Sequence, residues 1–346
     1  MILSSATPSR PPLDKARPIL VTGATGSLGP AVVESLQDAG YQVRALVRNA
    51  AKATELPAGV EVCIGDITDQ AALESAVAGV GGVVHAAALL HIVDPPESLR
   101  PEYQRINVGA TAELMRAAAN AKVERVVFFS TIAVYGNCAG QIVTEADSPH
   151  PDTFYGETKR EAEEIVLNAR RADGQPLGTV LRLAAVYGGR IKGNYRRLLS
   201  TLSRRRFVPL GAGLNKRTLI YEGDVGAATV LALEHPAAGG KVYNVSDGAF
   251  HTVKEIIAAM CQALDRPAPR MHLPIKPAYL AAAVAESGFG LIRVRAPVRR
   301  SMLDKYTEDI TVSSELIQRE LGFAPKVGLE LGWRETVRVI RRSGGL

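Results

Sequence analysis

The sequence predicts an α/β protein with a doubly wound parallel sheet and a smaller, mainly helical lobe at the carboxyl end. Three observations support this fold class. Short apolar runs rich in β-branched residues alternate with amphipathic helical stretches through most of the chain. A glycine-rich turn joins the first of these runs to the first helical stretch. The segments after residue 250 are mostly helical.

The predicted elements follow one another in a regular order. The first strand, 19–22, leads through the glycine-rich turn into a helix that ends near Gly40, a residue type typical of helix C-termini. The strands "YQVRALV", "VEVCIGDITD" and "GGVVHAAA" come next, then a long helix from about Leu99 to Ala121 and the strand "ERVVFFSTIAVYG". The alternation resumes with a helix after Tyr155, the strand "GTVLRL", the helix "GDVGAATVLALEH" and the strand "KVYNVS". Such alternation indicates a parallel sheet covered on both faces.

The composition is that of a globular protein and argues against several classes. Of 346 residues, 47% are hydrophobic and 22% are charged, and the net charge is +6. This excess is too diffuse to indicate a nucleic-acid partner, but it suits phosphorylated ligands. The three cysteines lie far apart, so we expect neither disulfides nor a metal site. The apolar segment "PAYLAAAVAESGFGLI" is interrupted and too short to span a bilayer, so we expect a cytoplasmic protein without a membrane partner.

Three glycines follow the first strand at a fixed spacing. Gly23, Gly26 and Gly29 form the pattern G-x-x-G-x-x-G between a strand and a helix. Glycine lets the backbone turn tightly and approach a pyrophosphate, whose charge the helix N-terminus stabilises. Because the turn opens a βαβ series, it predicts a dinucleotide site on a sheet of the Rossmann type. The cofactor-binding residues expected in this turn also include Thr25, Ser27 and Leu28.

The predicted domains follow from where the alternation stops. Residues 1–18 are rich in proline and serine and are expected to form a flexible tail without the apolar core of a signal peptide. Residues 19–185 form the predicted dinucleotide-binding domain, which residues 221–247 complete. Residues 186–220 and 248–346 interrupt the pattern and are predicted to form the substrate-binding lobe.

The end of the second strand bears on the choice of cofactor. NAD-specific sites place an acidic residue there for the ribose 2′-hydroxyl, but this chain has Val47 and then Arg48. A guanidinium can face the 2′-phosphate of NADP, so NADP is slightly favoured over NAD. The alternative is that Arg48 is only a solvated charge at the strand end.

Several further motifs occur in one order along the chain. They are "TGATGSLG", "GDITD", "VVHAAA", "NVGAT", "FFSTIAVYG", "YGETK", "LRLAAVYGG" and "RTLIYEGDV". From residue 19 to about residue 340 the chain resembles an extended short-chain dehydrogenase/reductase of the NAD-dependent epimerase/dehydratase family, whose members modify nucleotide sugars.

The resemblance assigns catalytic roles to three residues. Tyr155 takes the place of the general acid/base, and Lys159 takes that of the cation that lowers the tyrosine pKa and binds the nicotinamide ribose. Thr131 takes the Ser/Thr place that hydrogen-bonds the reacting oxygen. The chemistry explains these residue types, because a phenol is a poor base at neutral pH unless a nearby positive charge stabilises the phenolate.

The resemblance also extends the cofactor site. Asp66 and Ile67 match the adenine contacts after the third strand, and His85, Ala86 and Ala87 match the wall beside the ribose and pyrophosphate. A purely structural role for His85, with its backbone providing the contact, remains equally open.

Two other positions are treated as non-catalytic. Asn107 matches a helix asparagine that supports the active site, and His91 belongs to no motif and is interpreted as a loop residue.

The residues after Thr131 restrict the reaction. Sugar 4,6-dehydratases carry Asp and Glu there, whereas this chain has Ile132 and Ala133, which cannot move a proton. Dehydration is therefore disfavoured, and hydride transfer at one carbinol carbon, C4 by resemblance, remains. A nucleotide-sugar 4-epimerase and a 4-keto-sugar reductase are held near parity. The family pattern favours the epimerase, whereas Arg48 and exchangeable NADPH favour the reductase.

The resemblance implies a nucleoside-diphosphate sugar, most simply a UDP-sugar, in the substrate lobe. Arg217 matches the arginine that clamps the substrate pyrophosphate, a role that suits a guanidinium fork, and Asp224 closes that motif. Asn194 matches a contact to the diphosphate or sugar, and Val208 lies in a segment that resembles the one along the uracil. The run Arg204–Arg206 is interpreted as a solvated helix end. Leu183 replaces the proline that often follows the arginine of the "LR-P" motif.

Alternatives on the same scaffold remain open at the level of sequence. One is a reductase of 3β-hydroxysteroid or flavonoid-type ketones, which would need an apolar site without the anion clamp. Another is a non-catalytic, cofactor-sensing protein, disfavoured because both Tyr155 and Lys159 are present. Family members commonly dimerise through the helix at about 99–121 and the helix after Tyr155, so we expect a homodimer.

Overall fold

A seven-stranded parallel sheet forms the centre of the molecule. The computed structural model describes residues 12–90, 92, 95–138, 140–291 and 300–346. The strand order is β11-β7-β5-β4-β1-β2-β3, and every neighbouring pair is parallel. The strands are β1 (Ile19–Thr22), β2 (Val43–Val47), β3 (Glu61–Ile64), β4 (Gly82–His85), β5 (Arg125–Thr131), β6 (Ile142–Val143), β7 (Gly178–Leu183), β8 (Ala185–Tyr187), β9 (Lys216–Arg217), β10 (Leu219–Tyr221), β11 (Val242–Val245), β12 (His251–Thr252) and β13 (Thr311–Val312).

Helices cover both faces of this sheet. The helices are α1 (Gly29–Asp38), α2 (Gln70–Val77), α3 (Arg100–Tyr103), α4 (Ala110–Asn120), α5 (Phe154–Asn168), α6 (Gly193–Ser203), α7 (Glu222–Glu234), α8 (Val253–Ala263), α9 (Ile275–Leu291), α10 (Arg300–Thr307), α11 (Glu315–Leu321) and α12 (Leu329–Arg342). Helices α1 and α7 pack together over one core, and α2, α4 and α5 pack over the other. The predicted doubly wound α/β fold class is confirmed.

The chain order reverses between β1 and β4, which are neighbours in the sheet. In open parallel sheets, ligands bind beyond the carboxyl ends of the strands at such a reversal. Three strands end at this edge: β1 ends at Thr22, and β4 and β5 end at His85 and Thr131, which were singled out from the sequence.

The predicted long helix after residue 99 differs in one detail. Helices α3 and α4 are joined by a π-helical turn over Gln104–Gly109, so one helical segment contains a wider turn in its middle. Such turns insert an extra residue and occur often at functional sites.

A third core lies outside the sheet and belongs to the carboxyl-terminal part of the chain. Helices α6, α8 and α12 enclose Trp333, Met260 and Leu199, all fully buried. Thr252 and Glu255 form a reciprocal capping box at the start of α8, which explains why a helix begins there. In the part of the chain that the structure describes, no helix combines the length and apolar character needed to cross a bilayer.

Candidate active site

The glycine-rich turn after β1 is shaped for close approach. Gly23 has a φ of 75°, and a Cβ there would lie 2.7 Å from the Ala87 nitrogen and 2.9 Å from the Ala86 carbonyl carbon. A Cβ on Gly29 would overlap the Ala24 carbonyl. Only glycine satisfies both the dihedral angle and the space at Gly23. The structure thus brings the turn and the predicted wall residues Ala86 and Ala87 together.

The same turn has unused hydrogen-bonding capacity. The Ser27 hydroxyl oxygen is shielded from solvent and has no hydrogen-bond partner among the residues that the structure describes. No side chain caps the first turn of α1, whose N-cap is Leu28. Unsatisfied donors at a helix N-terminus suit a phosphate group. The turn therefore fits the pyrophosphate of a dinucleotide, with Gly23, Gly26 and Gly29 as the cradle.

His85 is held at both ring nitrogens. Its Nδ1 lies 2.7 Å from the Thr22 hydroxyl, and its Nε2 lies 2.9 Å from the Thr111 hydroxyl. The Thr111 hydroxyl donates to the Asn107 carbonyl at 2.7 Å, so it accepts from Nε2–H and leaves Nδ1 as the acceptor. Burial, and then the nearby Lys159, lower the His85 pKa to about 3. The geometry gives His85 a structural role as a neutral imidazole.

Arg48 and Asp66 lie together beyond the ends of β2 and β3. The Arg48 Nη1 is 3.9 Å from the Asp66 carboxylate, and the Arg48 side chain is 80% exposed. Burial opposes ionisation of Asp66, but hydrogen bonds from the Thr68 N–H and hydroxyl, together with Arg48 and Arg105, outweigh it and lower the pKa. Arg105, which the sequence analysis did not single out, donates to the Thr68 hydroxyl at 3.0 Å. Ile67, the neighbouring predicted contact, is partly buried against the core.

Helix α5 carries the predicted catalytic pair. Its N-cap is Thr153, whose hydroxyl accepts from the Gly156 N–H at 3.1 Å, so the helix begins at Phe154 and includes Tyr155 in its first turn. Gly156 lies against the turn that follows β5, since a Cβ there would be 2.8 Å from the Ala133 carbonyl oxygen. Thr131 ends β5, and its hydroxyl accepts from the Ala133 N–H at 3.2 Å. Thr131 and the start of α5 thus converge on one short segment.

Burial dominates the electrostatics of this pair. Burial, and then the nearby Tyr103, raise the pKa of Tyr155. Burial lowers the pKa of Lys159 to about 7, against the opposing effect of Glu163. The Lys159 ammonium lies 3.9 Å from the centroid of the Phe128 ring. Stabilisation of a Tyr155 phenolate by Lys159 therefore stays a prediction for the cofactor-bound enzyme.

A buried ion pair lies directly below this site. Arg182 on β7 binds the Glu163 carboxylate at 2.7 and 3.0 Å, and Ser130 on β5 donates to the same carboxylate. Arg182 also donates to the Tyr135 hydroxyl at 2.8 Å, which donates to Asn244 at 2.9 Å. The sequence analysis missed Glu163. Its spacing of four residues from Lys159, on the buried face of α5, is the signal that could have identified it.

Asn107 joins two segments of the chain, and its support of the active site stays a prediction. Its amide oxygen accepts from the Leu89 N–H at 2.7 Å, and its amide nitrogen donates to the Leu89 carbonyl and the Thr158 hydroxyl, each at 3.1 Å. It lies in the π-helical turn and joins the loop after β4 to α5. Tyr103 holds the same loop by donating to the Leu90 carbonyl at 2.7 Å. His91, interpreted from the sequence as a loop residue, lies outside the described residues.

The predicted substrate residue Arg217 lies on β9. The Arg217 guanidinium donates to the backbone carbonyls of Tyr306 and Glu308 at the end of α10. Its charge also acts on Tyr195, whose pKa burial raises to about 12 and Arg217 lowers in part. Asn194 is the exposed residue directly before Tyr195, at the start of α6.

Two other predicted substrate residues have different surroundings. Val208 is 51% exposed in the segment before β9. Asp224 is buried in α7, where its carboxylate accepts from the Lys326 N–H at 2.9 Å and the Val327 N–H at 3.1 Å. These bonds tether the chain before α12, and they give Asp224 a structural role; a substrate contact stays a prediction. No group of three or more potential metal ligands occurs within the described ranges.

Known proteins of similar sequence agree with a dinucleotide site of this kind. The model of the NAD dependent epimerase/dehydratase family matches residues 19–246. The chain is 28% identical over 330 residues to UDP-glucose 4-epimerase of Vibrio cholerae, covering 94% of this chain and 96% of the relative. It is 33% identical over 213 residues to N-acetyl-alpha-D-glucosaminyl-diphospho-ditrans,octacis-undecaprenol 4-epimerase of Escherichia coli O157:H7, covering 61% of this chain and 63% of that protein.

One solved structure is similar to this chain in both fold and sequence. The structure of MoeE5 in complex with UDP-glucose and NAD superposes with a TM-score of 0.74 at 29% identity, covering 94% of this chain and 99% of its own. The chain belongs to the NAD dependent epimerase/dehydratase family and is an NAD-dependent enzyme of the extended short-chain dehydrogenase/reductase type.

Proposed function

We propose that this enzyme transfers hydride at C4 of a nucleoside-diphosphate sugar, most simply a UDP-sugar, as a 4-epimerase or a 4-keto-sugar reductase. One observation carries the proposal. Tyr155 and Lys159 stand on the first two turns of α5, beside Thr131 and at the sheet edge that bears the glycine cradle. A proton donor, a cation and a second hydroxyl at a dinucleotide site are what oxidation or reduction of a carbinol requires.

The protein's own residues would handle the proton and the orientation. The nicotinamide supplies the chemistry of accepting and returning a hydride when it is bound. Tyr155 takes the proton from the sugar hydroxyl at its phenolic oxygen, and Thr131 holds the same sugar oxygen in place. Lys159 favours the ionised phenol through its charge. Ile132, which is almost fully buried, and Ala133 both lack an ionisable group. Neither can therefore move the proton that the removal of water from the sugar requires.

The proposed substrate rests on Arg217 and its surroundings. The Arg217 guanidinium, held by the Tyr306 and Glu308 carbonyls, suits a diphosphate better than a neutral ring system. The two relatives named above are named as epimerases of diphosphate-linked sugars, and the MoeE5 structure is a complex with UDP-glucose. We assign Asn194 and Val208 to the sugar and base ends of this ligand, as the sequence resemblance implies.

We further propose that Arg48 makes NADP acceptable to the cradle, with Arg105 as a second cation nearby. The MoeE5 structure is a complex with NAD. We also propose a cytoplasmic homodimer that pairs the α3–α4 segment and α5 with those of a second copy. These helices lie side by side, joined by Arg100 to Glu157 at 3.0 Å and Gln104 to Glu161 at 3.0 Å. Light scattering tests the dimer, and a monomeric mass would exclude it.

One experiment separates the two reactions. Purified protein is denatured, the released dinucleotide is identified, and the native protein is assayed with UDP-glucose, UDP-galactose and a UDP-4-keto sugar. Stoichiometric bound NAD with sugar interconversion supports the epimerase; an empty site with NADPH-dependent reduction supports the reductase. Tyr155→Phe should abolish either activity while retaining the dinucleotide. If none of these sugars is turned over and UDP does not bind to the protein, the apolar-ketone alternative is favoured.

A further inference from the structure

Helix α9 is apolar and exposed. Leu280 is 68% exposed and Val284 is 65% exposed, whereas Ala282 is the one residue of α9 that belongs to the buried core among its described side chains. A helix that is apolar around its circumference normally lies in a protein core or in lipid. Among the described side chains of α9, the large aliphatic ones, Ile275, Leu280 and Val284, are all exposed.

The apolar surface continues into the segment before α9. Met271 is 81% exposed, Leu273 is 54% exposed and Ile275 is 40% exposed. We define the α9 surface as Met271, Leu273, Ile275, Leu280 and Val284. It exceeds the scattered single apolar residues that are normal on a soluble protein.

This surface is fixed in place by polar contacts on its other side. The Leu273 N–H donates to the Pro209 carbonyl, and the Leu273 carbonyl accepts from the Gly211 N–H, each at 2.8 Å. Tyr279 donates to Asp304 of α10, and Arg300 binds Glu286 at 2.7 Å. Because these contacts use the polar groups of α9 toward α10, the aliphatic side chains are left facing outward.

The excess positive charge, interpreted from the composition as diffuse, is concentrated along the sequence in this segment. Residues 266–300 contain seven Lys or Arg and one acidic residue, an excess of six that equals the net charge of the whole chain, +6. Arg270 and Lys276 flank the α9 surface, are exposed, and have no acidic partner among the described residues. The one acidic residue, Glu286, is already paired with Arg300.

We propose that the α9 surface docks onto an anionic lipid bilayer, lying in the interface without crossing it. Exposed aliphatic side chains flanked by unpaired basic residues match an acyl boundary beneath anionic headgroups. A second copy of the same surface is the less suitable partner, because it would bring two positively charged segments together. The expectation of no membrane partner was based only on the lack of a segment that spans a bilayer. Binding at the membrane surface departs from that expectation.

Vesicle sedimentation with the full chain tests the proposal without any substrate, so its outcome is independent of the proposed reaction. The probes are phosphatidylcholine vesicles with and without phosphatidylglycerol. We expect the wild type to bind the anionic vesicles at least about tenfold more tightly than the neutral ones. The double variant Leu280→Glu, Val284→Glu should lose at least about tenfold of this affinity. The matched control is Leu331→Glu on α12, where the leucine is 45% exposed, and it should bind like the wild type.

Circular dichroism melts establish that all three proteins are folded. The proposal is overturned if the wild type does not sediment with anionic vesicles, or if the double variant sediments equally well. It is also overturned if the double variant changes the mass in light scattering from dimer to monomer while vesicle binding is unchanged. That result would identify a second copy as the partner of the α9 surface.

Discussion

Glu163 lies one helical turn after Lys159 on the buried face of α5, and Arg182 from β7 already binds its carboxylate. The lysine therefore has a negative charge nearby that is largely neutralised by another residue. This explains how Lys159 can be 2% exposed and yet have its pKa lowered to about 7, mainly by burial. The surroundings of Lys159 therefore stabilise its charged form poorly.

Replacing Lys159 with methionine should stabilise the cofactor-free protein. The pKa of Lys159 falls from 10.5 in the unfolded chain to about 7 in the folded protein, so folding opposes the charged form of this lysine. We expect the free energy of unfolding in Lys159→Met to rise by about 1–3 kcal/mol at neutral pH. The gain should shrink as the pH rises toward 10.5, where the unfolded lysine is neutral too. Urea unfolding at several pH values measures this.

The exposed Lys254 of α8 provides the control for this experiment. Lys254→Met should leave the stability within about 0.5 kcal/mol of the wild type. A loss of stability in Lys159→Met would show that the buried ammonium is well compensated after all.

Glu163→Gln should destabilise the fold. The substitution leaves the Arg182 charge buried without its counter-charge, and breaking such a pair costs about 3–5 kcal/mol. A glutamine still accepts hydrogen bonds, so we expect the lower end of this range in urea unfolding. The control is Glu164, the next residue along α5, which is exposed and pairs with Arg160. Glu164→Gln should change the free energy of unfolding by less than about 1 kcal/mol. Equal effects of the two substitutions would mean that the buried pair is not important for stability.

Gly23→Ala should weaken dinucleotide binding by at least about tenfold. The Cβ would approach the Ala87 backbone to 2.7 Å in addition to the strain at a φ of 75°. Gly174→Ala is the matched control, because Gly174 has a φ of 79° but open space around it. The control should lose about 1 kcal/mol of stability and none of the binding. Isothermal titration of both variants with NAD and NADP compares them, and unaltered binding in Gly23→Ala would remove the turn from the cofactor site.

Arg48→Asp should shift cofactor preference from NADP toward NAD. The carboxylate would repel a 2′-phosphate and accept a hydrogen bond from a 2′-hydroxyl. Lys52→Asp, an equal change of charge at a nearby exposed position, should leave the ratio of the two affinities unchanged. If both variants shift the ratio alike, the effect belongs to the general field around the cradle and not to Arg48.

His251 should make stability depend on pH in the neutral range. Its hydrogen bond to Asp247, at 2.6 Å, raises its pKa above 6.5 in the folded protein. A raised histidine pKa contributes stability that is complete below 6.5 and is lost as the pH rises through the folded pKa. The stability difference between the wild type and His251→Gln should therefore be largest in mildly acid solution and decline toward alkaline pH. A difference that is constant with pH would show that His251 acts through packing alone.

The parts of the fold set by local pattern could be predicted from the sequence. Gly23, Gly26 and Gly29 mark a turn whose geometry depends on residues close in the chain, and the alternation of strands and helices determines the parallel sheet. Contacts between distant segments could not be predicted in this way. Glu163 finds Arg182 only because α5 packs on β7. The bonds of Asp224 to the backbone at 326 and 327 likewise depend on how α12 approaches α7.

The π-helical turn at Gln104–Gly109 has a consequence for how the chain tolerates insertions and deletions. Removing a single residue there would restore ordinary winding and rotate one half of the helix against the other by about 100°. The Asn107 amide would then turn away from Leu89 and Thr158, and the segment after β4 would come loose from α5. Homologous enzymes should therefore accept length changes in their surface loops while keeping this helical segment at constant length.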